Sequence, residues 1–203
     1  MQNGFYFFSQ WLSLLELTAM LTGAVGVWLT MKQNIWCFPI GMINVALYAI
    51  LFFDPGIRLY ADASLQVFYF VLLIYGWHLW TKPAMFKSHI LPSYVKGNSW
   101  IKMLLLTIMG AIVLGVFLDY QTNADLPWLD SSLTSVSLLA QWMVARKKIE
   151  NWILWIIADT IYIPLYIHKG LPLTAFLYFI FLLLAVKGFK DWKSTLITAP
   201  NVK

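Results

Sequence analysis

ENWILWIIADTIYIPLYIHKG, residues 150–170, is apolar or aromatic from Trp152 to Ile167 apart from Asp159 and Thr160. A helix that crosses the hydrocarbon core of a bilayer needs about 20 such residues. A carboxyl in the middle of one is costly unless it faces a bundle interior or a cavity. The spacing shows which way it points. Trp152, Trp155, Asp159, Tyr162 and Tyr166 follow at i, i+3, i+7, i+10 and i+14, and at 100° per residue they share one narrow stripe. The remaining surface is Ile, Leu, Ala and Pro, suited to lipid or to neighbouring helices. Asp159 is therefore expected to point inward between aromatic rings.

The same ruler, moved along the chain, finds seven candidate spans: 11–31, 35–53, 62–80, 101–118, 129–145, 152–168 and 171–188. The whole chain of 203 residues is 61% hydrophobic and only 11% charged, more apolar surface than a soluble domain of this length hides. No cleavable signal peptide is evident at MQNGFYFFSQW, which lacks a basic region. Seven crossings place alternate loops on opposite sides. Of the 14 basic residues, only Arg58 and Lys169 then fall outside, and the other 12 share one face. This bias puts the N-terminus outside and the C-terminus in the cytoplasm. It also reads the net charge of +5 as a topology signal rather than a nucleic-acid patch. The single cysteine, Cys37, excludes an internal disulfide and a metal cluster built on thiolates.

The chain repeats itself at a shift of 112 to 114 residues. Trp28 pairs with Trp142, Tyr48 with Tyr162, and YGWHLW at 75–80 with KGFKDW at 187–192, Gly and Trp four apart in both. The expected architecture is one integral membrane domain, all-α with seven transmembrane helices. Residues 11–80 and 129–188 are two parallel three-helix repeats, 101–118 joins them, and 189–203 is a cytoplasmic tail. Three is odd, so the added crossing is what makes the copies parallel. In transporters built this way the substrate site lies between the repeats.

Other spans carry polar residues on faces that match the stripe. Asn44 and Tyr48 lie on the second with Trp36, Asp62, Gln66 and Tyr69 on the third, and Thr134, Ser137 and Gln141 on the fifth. Together with Asp159 and the tryptophans they suit a flat aromatic ligand with hydrogen-bonding edges and a positive charge, since indole faces attract cations. Two bland roles compete. Thr134, Ser137 and Gln141 serve equally as helix-to-helix hydrogen bonds, and Trp152, near a span end, suits an interfacial belt. His78 reads as an interfacial histidine. The sequence holds no phosphate-binding loop, zinc-protease motif or nucleophile elbow, so no cofactor, metal or catalytic residue is expected and the protein is not read as an enzyme.

NIWCFPIGMINVALY, LYADASLQVFYFVLLIYGW, LDSSLTSVSLLAQW and ENWILWIIADTIY with KGLPLTAFLYFIFLLLAVKGFKDW resemble the PnuC family of bacterial vitamin transporters, over roughly residues 14–193. The resemblance implies a plan similar to the SWEET sugar transporters but differently wired, assembled as a homotrimer. It implies facilitated diffusion of the NAD precursor nicotinamide riboside, which a cytoplasmic kinase then traps by phosphorylation. Relatives carry thiamine or riboflavin. Carried onto this chain, the family's substrate-binding positions fall on Asn44, Tyr48, Gln66, Tyr69, Gln141, Trp152, Trp155, Asp159 and Tyr162. Where some relatives have an amide in the sixth span this chain has Asp159, which suits the cationic rings of nicotinamide riboside and thiamine better than neutral riboflavin. The alternatives are a thiamine transporter of the same family and, in another class, the substrate-binding membrane subunit of an ATP-driven vitamin importer. A retinal photoreceptor is disfavoured, because the seventh span has no lysine at mid-depth.

Overall fold

Apolar runs of this length form helices in lipid because only helices satisfy every backbone polar group within one segment. The computed structural model describes residues 2–53, 60–82, 91–122, 126–168 and 172–198. They form seven helices: α1 Gln2–Met31, α2 Cys37–Phe53, α3 Tyr60–Thr81, α4 Ser99–Gln121, α5 Pro127–Ala145, α6 Asn151–His168 and α7 Pro172–Thr198. Pro127 and Pro172 open α5 and α7, where the missing N–H costs nothing. The helices outrun the apolar windows at several ends, and α7 continues ten residues past 188. Hydrophobicity stops at Lys187, but Lys, Asp and Trp are compatible with a helix, so the hydrogen-bond ladder does not. Arg58, Lys87, Lys169 and Lys203 lie outside the described residues.

The exposed helix faces are apolar, unlike those of a water-soluble bundle, and several polar side chains are buried. Ser131, Ser137, Asn151 and Asp159 are buried, whereas Val113, on α4, is 63% exposed and Leu105 61%. Among the described helices, α1 and α4 are long and apolar enough to cross a membrane by that measure alone. An apolar outer surface with polar groups inside is what lipid as solvent demands.

The chain divides into two units, Met1–Lys82 and Pro83–Lys203. In the first, α2 packs against both α1 and α3. Its core is Leu29, Cys37, Phe38, Val45 and Leu73, with Tyr69 and Trp80 against it. Phe38 meets Trp80 edge-on, ring centroids 4.9 Å apart at 87°. In the second, α6 packs against both α5 and α7, and α4 lies along α5. Small residues allow the α4–α5 approach: Gly115 faces Trp128 and Ser131, and Gly110 faces Ser135. Trp152 meets Trp192 edge-on at 5.3 Å and 89°. Phe38 and Trp152 are 114 residues apart, Trp80 and Trp192 112, the offsets read from the sequence.

The turns that precede these pairs match bond for bond. Gln33 (φ 53°) and Lys147 (φ 49°) both sit in the left-handed region, one residue after the cap of α1 and of α5. Gln33 N–H donates to Thr30 O and Asn34 N–H to Leu29 O, while Lys147 N–H donates to Val144 O and Lys148 N–H to Met143 O. Each pair is the Schellman arrangement that satisfies orphan carbonyls at a helix end. The next helices begin alike, with Cys37 and Phe38 donating to Asn34 and Ile35, and Asn151 and Trp152 to Lys148 and Ile149.

Candidate substrate-binding residues

On α6 the stripe falls within about 80° of the helix circumference and faces protein. Trp152 and Asp159 are buried, and Trp155, Tyr162 and Tyr166 are half-buried, while Ile153, Ile157 and Ile167 on the other side are exposed. α6 runs unbroken through Pro164. Toward the far end from Trp152, Tyr162 and Tyr166 stack at 5.7 Å, and Tyr178 of α7 closes on both, at 4.7 and 5.0 Å. The Tyr178 hydroxyl hydrogen-bonds Tyr166. Tyr162 also packs on Leu133, Ala158 and Leu165, the contact that joins α6 to α5.

Trp152 is placed differently from the rest of the stripe. Its indole is 1% exposed, wedged between Gly188 and Trp192 of α7. This is neither a lipid-interface belt position nor an open face for a ligand, and it leaves Trp155 as the indole of α6 with free surface. On α5, Gln141 and Thr134 are half-buried. The buried Oγ atoms of Ser135 and Ser137 have no hydrogen-bond partner. Serines in helices commonly return that hydrogen bond to their own backbone, and these two leave it unmade.

In the first unit, Tyr48, Gln66 and Tyr69 are half-buried; Tyr69 packs on the core, and the side chain of Asp62 lies outside those described. Asn44 is the departure. Its amide donates to Ala19 O at 2.5 Å and to Thr22 Oγ1 at 3.4 Å, tying α2 to α1. Asn44→Ala is therefore expected to cost about 0.5–1.5 kcal/mol of stability, the range found for interhelical hydrogen bonds in membrane bundles. A thermal melt in detergent checks it, and substrate affinity should fall by less than the stability change.

Tyr178 was not among the residues singled out in the sequence, although the signal was present. It stands 112 residues after Gln66, the same offset that relates Gly76 to Gly188.

The family model for nicotinamide mononucleotide transporters matches residues 13–194. The chain belongs to this family. It is 29% identical to the nicotinamide riboside transporter PnuC of Escherichia coli, over 89% of this chain and 85% of that protein. It is 22% identical to the riboflavin/roseoflavin transporter RibM of Streptomyces davaonensis, over 94% and 89%. Among solved structures it is similar to a crystal structure of the vitamin B3 transporter PnuC, with a TM-score of 0.73 and 25% identity over 91% of this chain and 83% of that one. The all-helical architecture of this family member accords with that likeness.

Proposed function

We propose that the protein takes up nicotinamide riboside across the bacterial inner membrane by facilitated diffusion, with phosphorylation in the cytoplasm trapping the product. The observation that carries this reading is Asp159, a carboxyl buried in the aromatic stripe of a membrane helix. A carboxylate is retained in such a place when something positive completes it. The pyridinium ring of nicotinamide riboside is flat, aromatic and cationic, and rings beside a desolvated cation add attraction of their own. Trp155 and Tyr162 would contact the ring and Asp159 would offset its charge. Gln141 would serve its amide or ribose hydroxyls, and Tyr48, Gln66 and Tyr69 are carried over from the family resemblance as further candidates, whereas the Asn44 amide is engaged within the first unit. Trp152 would hold α6 against α7 and contribute indirectly.

The matching turns and edge-on aromatic pairs support a plan of two three-helix repeats joined by α4, and the distribution of basic residues supports a cytoplasmic C-terminus. A homotrimer is carried over from the family resemblance. Riboflavin is the second reading, favoured by the likeness to RibM; its neutral ring gives Asp159 no charge to balance. Calorimetry of the purified protein with nicotinamide riboside, thiamine and riboflavin under identical conditions separates these. Binding of nicotinamide riboside alone supports the proposal. Binding of thiamine alone keeps the cation logic and changes the vitamin. Binding of riboflavin alone overturns the role given to Asp159.

A further inference from the structure

The α1–α2 and α5–α6 turns share a backbone but not an outfit. In the first, Asn34 Oδ1 accepts the Trp36 N–H at 3.0 Å, so the turn caps itself and Trp36 stands 60% exposed. The equivalents 114 residues on are Lys148 and Glu150, and both turn onto the segment that leads into α4. Ser93 N–H donates to Lys147 O at 3.0 Å, and Ile149 N–H returns a bond to Ser93 O at 3.1 Å. The Lys148 ammonium donates to Ser93 Oγ at 2.8 Å and Tyr94 O at 3.3 Å. Glu150 Oε1 accepts the Val95 N–H at 2.8 Å. Pro92, which opens this strap, is fully buried.

Glu150 is an expensive way to make one hydrogen bond. It is 6% exposed, and its Oε2 has no partner, nor do the neighbouring Asn151 Oδ1 and Trp152 Nε1. Burying a carboxylate with half its capacity unused is unfavourable, so stability does not account for it. Its position does, because it is the residue before α6 begins, on the helix that carries Trp155 and Asp159. Side-chain tips lie about 5–6 Å from a helix axis, so a roll of about 20° would carry them about 2 Å.

The geometry points to Glu150 as a positioning residue for substrate recognition, acting through the Pro92–Val95 strap to set the roll of α6 and the direction of Asp159 and Trp155. It rests on the functional reading above, in that the α6 stripe meets the substrate, but not on which vitamin that is.

The experiment uses the full-length purified protein and whichever of the three vitamins it binds. Dissociation constants, melting temperatures and proteoliposome uptake are measured for Glu150→Ala, Glu150→Gln, Val95→Pro, Lys148→Met and the Glu150→Ala/Val95→Pro double variant. Glu150→Ala and Val95→Pro break the same bond from opposite ends. Each is expected to weaken binding about tenfold, a loss appropriate to misplacement by an ångström or two. The double variant should be no weaker than either single. Glu150→Gln keeps an acceptor for Val95 N–H and should restore affinity to within about threefold of the wild type. KM should rise in the single variants with little change in the maximal rate. Should Val95→Pro fail to fold, Lys148→Met supplies the second break in the strap. Unchanged affinity in folded Glu150→Ala overturns the inference, as do additive losses or a lowered melting temperature with the wild-type dissociation constant. A wild-type protein that binds none of the three overturns the functional reading itself, and with it the inference, which is a different result from variants that bind as well as the wild type.

Discussion

Replacing Asp159 by alanine is expected to abolish nicotinamide riboside uptake in proteoliposomes while leaving the protein folded and monodisperse. The carboxyl is 3% exposed on a membrane helix, so a charge drawn onto it by a cationic ligand is little diluted by water. Two unit charges about 4 Å apart attract by about 4 kcal/mol at an effective dielectric constant of 20. Each 1.4 kcal/mol is tenfold in affinity, so the loss should reach about two to three orders of magnitude once the cost of desolvating the ligand is subtracted. Asp159→Asn keeps the size and the hydrogen-bonding edges, and it should bind nearly as poorly as alanine if charge is the operative property. Trp155→Ala should cost less, about tenfold, the scale of a single desolvated cation–π contact. Removing a buried carboxyl does not weaken a helix bundle, so the melting temperature should hold or rise. Wild-type uptake in Asp159→Ala would remove this residue from the site. Equal binding by Asp159→Asn and the wild type would instead keep the residue and discard the charge.

The elements behind this expectation differ in how far the sequence revealed them. The α6 stripe was legible because helical period and lipid exposure act on the same residues: a face without Ile and Leu on a membrane helix has to be the protein face. The matching glycine–tryptophan pairs were legible for a related reason, since Gly76 with Trp80 and Gly188 with Trp192 are demanded by packing and not by composition. Asn44 was legible as an inward polar residue but not as a bridge. Whether an amide meets a ligand or the carbonyl of Ala19 depends on the approach of α1, which no pattern within α2 encodes. Trp152 failed in the same way, because a tryptophan one residue into a helix sits at the depth of an interfacial belt whether it faces lipid or, as here, a glycine on α7. The ends of α1 and α7 were hidden because a hydropathy window reports where lipid ends and not where the helix does. The strap at Pro92–Val95 was invisible, since it pairs residues 55 apart through a short polar segment with no period.

Gly188→Ala is expected to destabilise the α6–α7 pair enough to lower the melting temperature in detergent by about 5–10 °C. A Cβ built on Gly188 comes within 2.7 Å of Cε2, Cζ2 and Cη2 of Trp152, closer than carbon atoms approach in real proteins. The ring cannot swing clear. Trp192 packs edge-on against it, and both indoles are almost fully buried. The methyl group therefore has to part the helices. Overpacking of this kind costs about 1–3 kcal/mol, and about 2–4 °C follows from each kcal/mol in a chain of this size. The loss should lie toward the upper end, because close packing rather than water exclusion holds membrane helices together. Gly76→Ala drives its new methyl into Phe38 of the first unit and should behave in the same way. The two variants should part in their effect on transport when each is measured well below its melting temperature. Gly188 braces the first turn of α6, seven residues before Asp159, so a displaced Trp152 is felt by the carboxyl. Gly76 braces α2, whose Asn44 is already anchored to α1. Substrate affinity should therefore fall further in Gly188→Ala than in Gly76→Ala at equal loss of stability. Equal affinity in the two would mean that the α6 contact with α7 supports the fold without steering the site.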